Sequence, residues 1–337
     1  MEIVKQVHER SLVAWAKDRP EVVVFSGDLT GSTEIALFKQ TYPDRFYSMG
    51  LAEQNMMSWA GGMAREGYVP FVHTFAVFMY RRAYDQIAMS IAYPGAKVRI
   101  VGFLPGITTP GGVSHQAIED ISVMRSLPNM SVVEMGDATE VESVLDAVDK
   151  IEGPVYLRML RGEIPRLFDP KTPFAFNKAR LLQEGNDLCV ISSGICTQEA
   201  IKAVQFLQEQ GISVSHLHIS TLKPFTDPLV VDTIRNSRHG VITLENHTVI
   251  GGLGTCVAEV MAENGIGKPL YRMGIRDHFA HGASREFLMR ECEIDAMALI
   301  QKAGQVVGKS FSVDANQLAT EKYDKSYVAH QQLDAMG

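Results

Sequence analysis

The chain has 337 residues, 46% of them apolar and 21% charged, enough to bury a sizeable core and to divide into two domains. A formal charge of −7, with Lys and Arg scattered along the chain, excludes the clustered basic patch that nucleic-acid backbones require. Four cysteines, Cys189, Cys196, Cys256 and Cys292, form no C-x-x-C pair, which excludes a zinc ribbon or disulfide framework and points to a reducing, cytoplasmic setting.

The start, "MEIVKQVHERSLVAWAKDRP", reads as an amphipathic helix of mixed charge without the apolar core of a signal peptide. Short β-branched or apolar runs then alternate with helical patterns: "VVVFS" at 22–26, "FYSM" at 46–49, "YVPFVH" at 68–73, "KVRIVGF" at 97–103, "SVVE" at 131–134 and "PVYLRM" at 154–159. That alternation predicts βαβ units and a parallel sheet over a first domain, residues 1–165. The most apolar window, "VPFVHTFAVFMY", is broken by His73 and Thr74 and is too short to span a bilayer. The Pro-rich stretch "EIPRLFDPKTPFAFNKAR" supplies a linker, 166–180, after which the alternation resumes. "LCVISSG", "ISVSHLHIS", "GVITLEN" and "LYRMGI" read as strands of a second, smaller α/β domain, 181–305. The remaining tail, 306–337, is polar, with a weak helical pattern after Ala319, and reads as an arm that packs on a partner.

Several familiar motifs are missing. No G-x-G-x-x-G follows a strand, and "AGQVVGKS" at 303–310 has Ala303 where a P-loop needs glycine. H-E-x-x-H and G-x-S-x-G are absent as well, so the usual nucleotide, metalloprotease and hydrolase readings lose support.

Ligands of parallel α/β sheets bind outside the carboxyl ends of the strands. Four segments fall there: "GDLTGS" at 27–32, "GLAEQN" at 50–55, "HTFAVFMYRRAYDQ" at 73–86 and "GFLPGITTPGGVSHQAIED" at 102–120. Together they offer one acid, Glu53, the aromatics Phe75, Phe78 and Tyr80, and one imidazole, His115. Each also has a plain structural reading. Glu53 suits a first-turn carboxylate favoured by the helix dipole, the aromatics suit a core, and His115 suits an exposed first helical turn capped by Ser114.

Taken in combination, "GLAEQNM", "TFAVF...RRAYDQI", "SHQAIEDI..MRSLPNM", "LENHTVIGGLG" and "DHFAHG" resemble the carboxyl-terminal half of transketolase, in the family's order over residues 1–305. The resemblance implies a pyrimidine-binding domain for thiamine diphosphate followed by the family's small carboxyl-terminal domain. Thiamine diphosphate brings its own carbanion chemistry, and the protein's part is a carboxyl hydrogen-bonded to the pyrimidine ring. A carboxyl holds a shareable proton near neutral pH only where desolvation raises its pKa, and Gly, Leu, Ala and Met around Glu53 suit that need. Small residues at Gly50, Ala52, Ala60, Gly61 and Gly62 suit close helix packing behind it.

By the same resemblance Glu53 and His115 are catalytic. Leu29, Glu53, Phe75 and Phe78 bind the cofactor, while Ser32, Phe103, His115 and Arg161 face the substrate, with Arg158 the neighbouring candidate for an anionic terminus. Two positions depart from the family. Phe103 stands where transketolases usually carry a second histidine, and Gly111 where they carry an acid that reads a sugar hydroxyl. Loss of both polar partners implies a non-standard sugar, branched or deoxygenated. The G-D-G-x(about 25)-N segment that holds Mg²⁺ and diphosphate in the family has no counterpart, so no metal ligand is expected here. The resemblance therefore implies one subunit of a split transketolase, active only with a diphosphate-binding partner and forming α2β2. The alternatives are the β subunit of a 2-oxoacid dehydrogenase or a non-catalytic regulatory subunit.

Overall fold

The computed structural model describes residues 2–313 and Leu318, so the helical pattern expected after Ala319 lies outside the described residues. Two sheets organise the chain. The first holds β2 (Val22–Ser26), β3 (Phe46–Ser48), β4 (Val69–Phe75), β5 (Arg99–Phe103), β6 (Ser131–Glu134), β7 (Val155–Met159) and β12 (Thr221–Lys223), in the order β12-β6-β7-β5-β4-β2-β3. All its pairings are parallel except that of β12 with β6. The second holds β9 (Arg180–Gln183), β10 (Leu188–Ser193), β11 (Val214–Ile219), β13 (Val241–Thr248) and β14 (Leu270–Ile275), ordered β14-β13-β10-β11-β9, with β9 alone antiparallel. A separate antiparallel ribbon pairs β1 (Ile3–Lys5) with β8 (Glu163–Pro165).

Helices α1 (Val7–Trp15), α2 (Ala36–Thr41), α3 (Glu53–Arg65), α4 (Ala76–Gln86), α5 (Asp120–Ser126) and α6 (Ala138–Asp149) cover the first sheet. Helices α7 (Cys196–Glu209), α8 (Pro228–Asn236), α9 (Leu253–Glu263), α10 (Arg285–Glu291) and α11 (Ala296–Val307) belong to the second half. Helices on both faces bury the inner strands completely, which is why β2, β4, β5 and β7 read as largely apolar runs. The two-domain α/β architecture expected from sequence is present, and every strand expected from the alternation forms. Among the described residues no helix is long and apolar enough to cross a membrane.

The two halves are interlocked, which the sequence pattern did not indicate. β12 comes from the second half yet completes the first sheet, and three residues are too few to show a period. One core cluster joins Phe103, Val133 and Leu157 of the first half to Ile191, Leu217 and Val257 of the second. A separate core in the second half takes in Ile107 and Ile118, from the two ends of the loop that follows β5.

Local details correct the sequence reading at several points. Residues 3–5 form a strand before α1 begins at Val7, because Glu163–Pro165 offers them a partner across the sequence. Gly61 is required by packing: a Cβ there would stand 2.2 Å from the Ser90 carbonyl. Gly50 is required by its left-handed backbone, φ +68°, whereas Gly62 faces open space and packs against nothing. Ser114 does not cap a helix. It ends a 3₁₀ turn, Gly112–Ser114, and α5 starts only at Asp120.

Candidate active site

In the first sheet the chain runs from β2 outward to β3 and then back across β2 to β4, so the strand order reverses between β2 and β4. Ligands of such sheets sit at the carboxyl ends beside this reversal. The β2–α2 loop brings Leu29 and Ser32 there, the chain after β3 brings Glu53, β4 ends in Phe75, α4 carries Phe78 one turn on, and the loop after β5 brings His115.

Glu53 is the first residue of α3, where unpaired amides and the helix dipole favour a carboxylate. Only 3% of it is exposed. Its Oε1 accepts a 2.6 Å hydrogen bond from Arg82 Nη1. Arg82 in turn lies over the Phe78 ring, 4.1 Å from its centroid. Phe78 stands 5.7 Å from Phe75 and 5.5 Å from the His115 ring, and Phe75 stands 6.0 Å from His115. The Arg161 guanidinium lies 5.6 Å from the Phe75 centroid and donates to the Ser32 carbonyl at 2.8 Å. Glu53, Phe75, Phe78, His115, Arg161 and Ser32, far apart in sequence, thus form one continuous wall. Leu29 flanks it, half-buried, with its carbonyl accepting from the Thr33 amide and hydroxyl.

Burial dominates the electrostatics of this face. Burial, and the positive charge of Arg82 beside it, lower the His115 pKa, so its imidazole is neutral at physiological pH. His115 Nδ1 lies 2.9 Å from Ser114 Oγ, which fixes the ring. Glu34 stands beside Arg161; its Oε1 accepts from the Gly162 amide at 2.7 Å, while its buried Oε2 has no partner. Burial pushes the Glu34 pKa up to about 7, more than Gly162 and Arg161 pull it down. Gly111 borders His115 directly: a Cβ at 111 would stand 3.0 Å from the His115 Cβ and Cγ. A side chain at 111 would therefore press directly on His115, which would have to give by a few tenths of an ångström.

Two candidates are corrected. Phe103 is fully buried and packs edge-on against His8, 5.6 Å between centroids, and against His73 at 6.3 Å, a layer behind the wall. It contacts no open surface, so it is not a substrate contact. Arg158 is also fully buried: it donates to both oxygens of Asp120, to Glu134, and to the carbonyls of Ala117 and Asn246. With its three nitrogens all engaged by the protein it has none for a ligand. Tyr80 lies on the buried side of α4, its hydroxyl pKa pushed up by burial and by Asp120, and belongs to the core.

Arg82 and Glu34 are functional candidates that the residue pattern did not single out. Arg82 had a usable signal, since it follows Phe78 by four residues and so shares its helix face. Glu34 had none.

The residues fit the aminopyrimidine of thiamine diphosphate: a carboxyl almost sealed from water stands at one edge of paired aromatic rings. Among the described residues no group of three or more His, Cys, Asp or Glu side chains is placed to hold a metal ion. A parallel α/β sheet with this carboxyl and these rings at its reversal point defines the pyrimidine half of a thiamine-diphosphate enzyme.

Comparison with known proteins gives the family. The profile "Transketolase, pyrimidine binding domain" matches residues 4–166, and "Transketolase, C-terminal domain" matches residues 177–296. The chain belongs to the transketolase family. It is 42% identical over 274 residues to a transketolase family protein of Sinorhizobium fredii, covering 81% of this chain and 79% of that one. It is 36% identical over 296 residues to a 6-deoxy-6-sulfo-D-fructose transketolase subunit of a Clostridium species, covering 88% and 91%. Among solved structures it is similar to one described as "Split gene transketolase, inactive beta4 tetramer", with a TM-score of 0.83, 36% identity and coverage of 90% and 97%.

Proposed function

We propose that this chain is the pyrimidine-binding β subunit of a split transketolase that moves a two-carbon ketol unit between a ketose and an aldose. The observation that carries the reading is the continuous wall from Glu53 through Phe78 and His115 to Arg161, since it places an acid, a ring platform, an imidazole and a guanidinium in sequence across one face. Glu53 holds the aminopyrimidine at its ring nitrogen, Phe75 and Phe78 flank the ring, and Leu29 packs beside the cofactor. When bound, thiamine diphosphate supplies the carbanion chemistry. His115 meets the reacting carbonyl. Arg161, with Ser32 beside it, takes the anionic terminus of the sugar, which suits the planar fork of a guanidinium.

The sugar is a non-standard one. Gly111 leaves no acid to read the usual hydroxyl, and the imidazoles nearest Phe103, those of His8 and His73, are sealed in the core. A relative named for a sulfonated sugar agrees with an anionic end that need not be phosphate.

The partner subunit supplies the diphosphate and Mg²⁺ site, the two chains form α2β2, and the assembly works in the cytoplasm. Support for a closing partner comes from Leu51, Trp59, Met89 and Tyr93, large apolar residues exposed on and beside α3 and the π-helical turn that crosses it at Gly61 and Ser90. The test mixes the purified chain with an amino-terminal transketolase subunit, thiamine diphosphate and Mg²⁺. Ketol transfer is expected from the mixture and none from this chain alone. Turnover by the chain alone, or ordinary rates with xylulose 5-phosphate and ribose 5-phosphate, would overturn the subunit or the substrate reading respectively.

A further inference from the structure

The loop that carries His115 is held by the second half of the chain, at both ends. At its start, the Asn246 side chain grips the backbone twice: Oδ1 accepts from the Ile107 amide and Nδ2 donates to the Pro105 carbonyl, each at 3.0 Å. Gly106 between them has φ +56°, and a Cβ there would stand 2.1 Å from Asn246 Oδ1, so the strand end and the loop are fitted to each other. At its finish, the Thr248 amide donates to the Ile118 carbonyl at 2.8 Å. Ile107 and Ile118 themselves lie in the hydrophobic core of the second half. In the middle, Gln116 Nε2 reaches the His281 carbonyl at 3.2 Å, and Gly282 packs on Gly112.

The arrangement is braced from below. Arg158 Nη2 donates to the Asn246 carbonyl at 3.0 Å and to the Ala117 carbonyl at 2.8 Å, tying β13 and the loop to one guanidinium. Within the loop, the Gly106 amide donates to the Ala117 carbonyl at 2.8 Å, closing its neck. His115 is therefore set on a closed loop whose neck is clamped by β13. Glu53, Phe75 and Phe78 stand on α3, β4 and α4 instead, none of which bonds Asn246; α4 meets the loop separately, through Arg81, which donates to the Val113 carbonyl at 2.9 Å and to Glu119.

We propose that the small carboxyl-terminal domain acts as the template for the substrate loop, and that Asn246 is a positioning residue whose two-point grip on Pro105 and Ile107 sets where His115 stands. The assignment assumes His115 meets the sugar, as proposed above, but the clamp itself is testable without any substrate.

Amide hydrogen exchange on the purified chain compares wild type with N246A, N246D and G106A. Loss of two hydrogen bonds in N246A is expected to speed exchange over residues 105–117 roughly thirtyfold, with β4 and α4 unchanged. N246D keeps the acceptor for Ile107 but sets a carboxylate oxygen against the Pro105 carbonyl, and should speed exchange at least as much as N246A at neutral pH. G106A disturbs the same contact from the loop side and should reproduce N246A with the small domain unaltered. Unchanged exchange at 105–117, or a uniform rise across the chain, overturns the clamp.

In the complex with the partner subunit, N246A should lower kcat/KM for the sugar at least tenfold while the Kd for thiamine diphosphate stays within twofold. Equal loss of cofactor affinity would make Asn246 merely structural and overturn its positioning role. A wild-type complex that transfers no ketol unit would instead sink the functional reading, and the exchange data would still decide the clamp.

Discussion

Two arginines lie three residues apart, Arg158 within β7 and Arg161 just beyond its end, each beside a carboxyl group, and they differ in whether their bonding is complete. Arg158, Asp120, Glu134 and Tyr156 are sealed, and Arg158 commits its donors to two carboxylates and two carbonyls. Arg161 lies over Phe75 with one backbone acceptor and a buried Glu34 beside it. The first group is a structural knot, because a charge removed from water persists only where partners replace it. The second keeps capacity for a ligand. Residue type alone does not separate these roles; saturation of the guanidinium does, since each group keeps one unpartnered carboxyl oxygen, Glu134 Oε2 in the first and Glu34 Oε2 in the second.

The contrast is sharpened most by removing one carboxyl. Glu53→Ala in the assembled enzyme is expected to cut turnover by about a thousandfold, within the range of lost acid–base catalysis, with the melting temperature of the chain little changed. Retained turnover would return Glu53 to the role of a helix-terminus acid.

Arg158→Met tests the opposite pole. It leaves Asp120 and Glu134 buried without their cation and should cost about 3–5 kcal/mol, read as a lower denaturant midpoint. A stable Arg158→Met protein with a raised KM would break the comparison, since Arg158 would then be serving a ligand.

Arg161→Ala should raise the KM for an anionic sugar by roughly ten- to a hundredfold, the worth of a hydrogen bond to a charged group, and leave stability close to wild type. An uncharged sugar analogue should be indifferent to the change.

The smallest effect concerns pH. The folded-state pKa of Glu34, about 7 against an ordinary 4.5, means the folded chain holds this proton more tightly than the unfolded one. The stability it contributes is full below about pH 4.5 and is lost as pH rises to about 7. Glu34→Gln removes that loss, so its denaturant midpoint should gain on wild type across this window, by at most about 1.4 kcal/mol per pH unit. Parallel curves for the two proteins would show that Glu34 is already ionised.

The alternation of buried strands and amphipathic helices announced the parallel sheets, and the residues at strand ends, read with the family resemblance, brought forward Glu53, Phe75, Phe78, His115 and Arg161 as candidates, which the fold sets along one face. These are local signals, carried by period, by position after a strand and by short motifs. What remained hidden depended on distant partners. Phe103 occupied a substrate position by resemblance, yet His8 from α1 and His73 from β4 close over it. The choice between Arg158 and Arg161 turns on Asp120 and Glu134, brought in by neighbouring elements. Asn246 lies 139 residues from the amide it accepts, a pairing no periodicity can report.

β12 has a practical consequence for anyone who wishes to take this chain apart. The two family profiles meet between residues 166 and 177, an inviting place to cut. Expressing the pieces separately would leave β6 with a bare edge and strip Ile191 and Leu217 from the core they share with Val133 and Leu157. Cut there, the fragments should aggregate or survive only when produced together, so a gene fission at that seam would have to preserve co-folding.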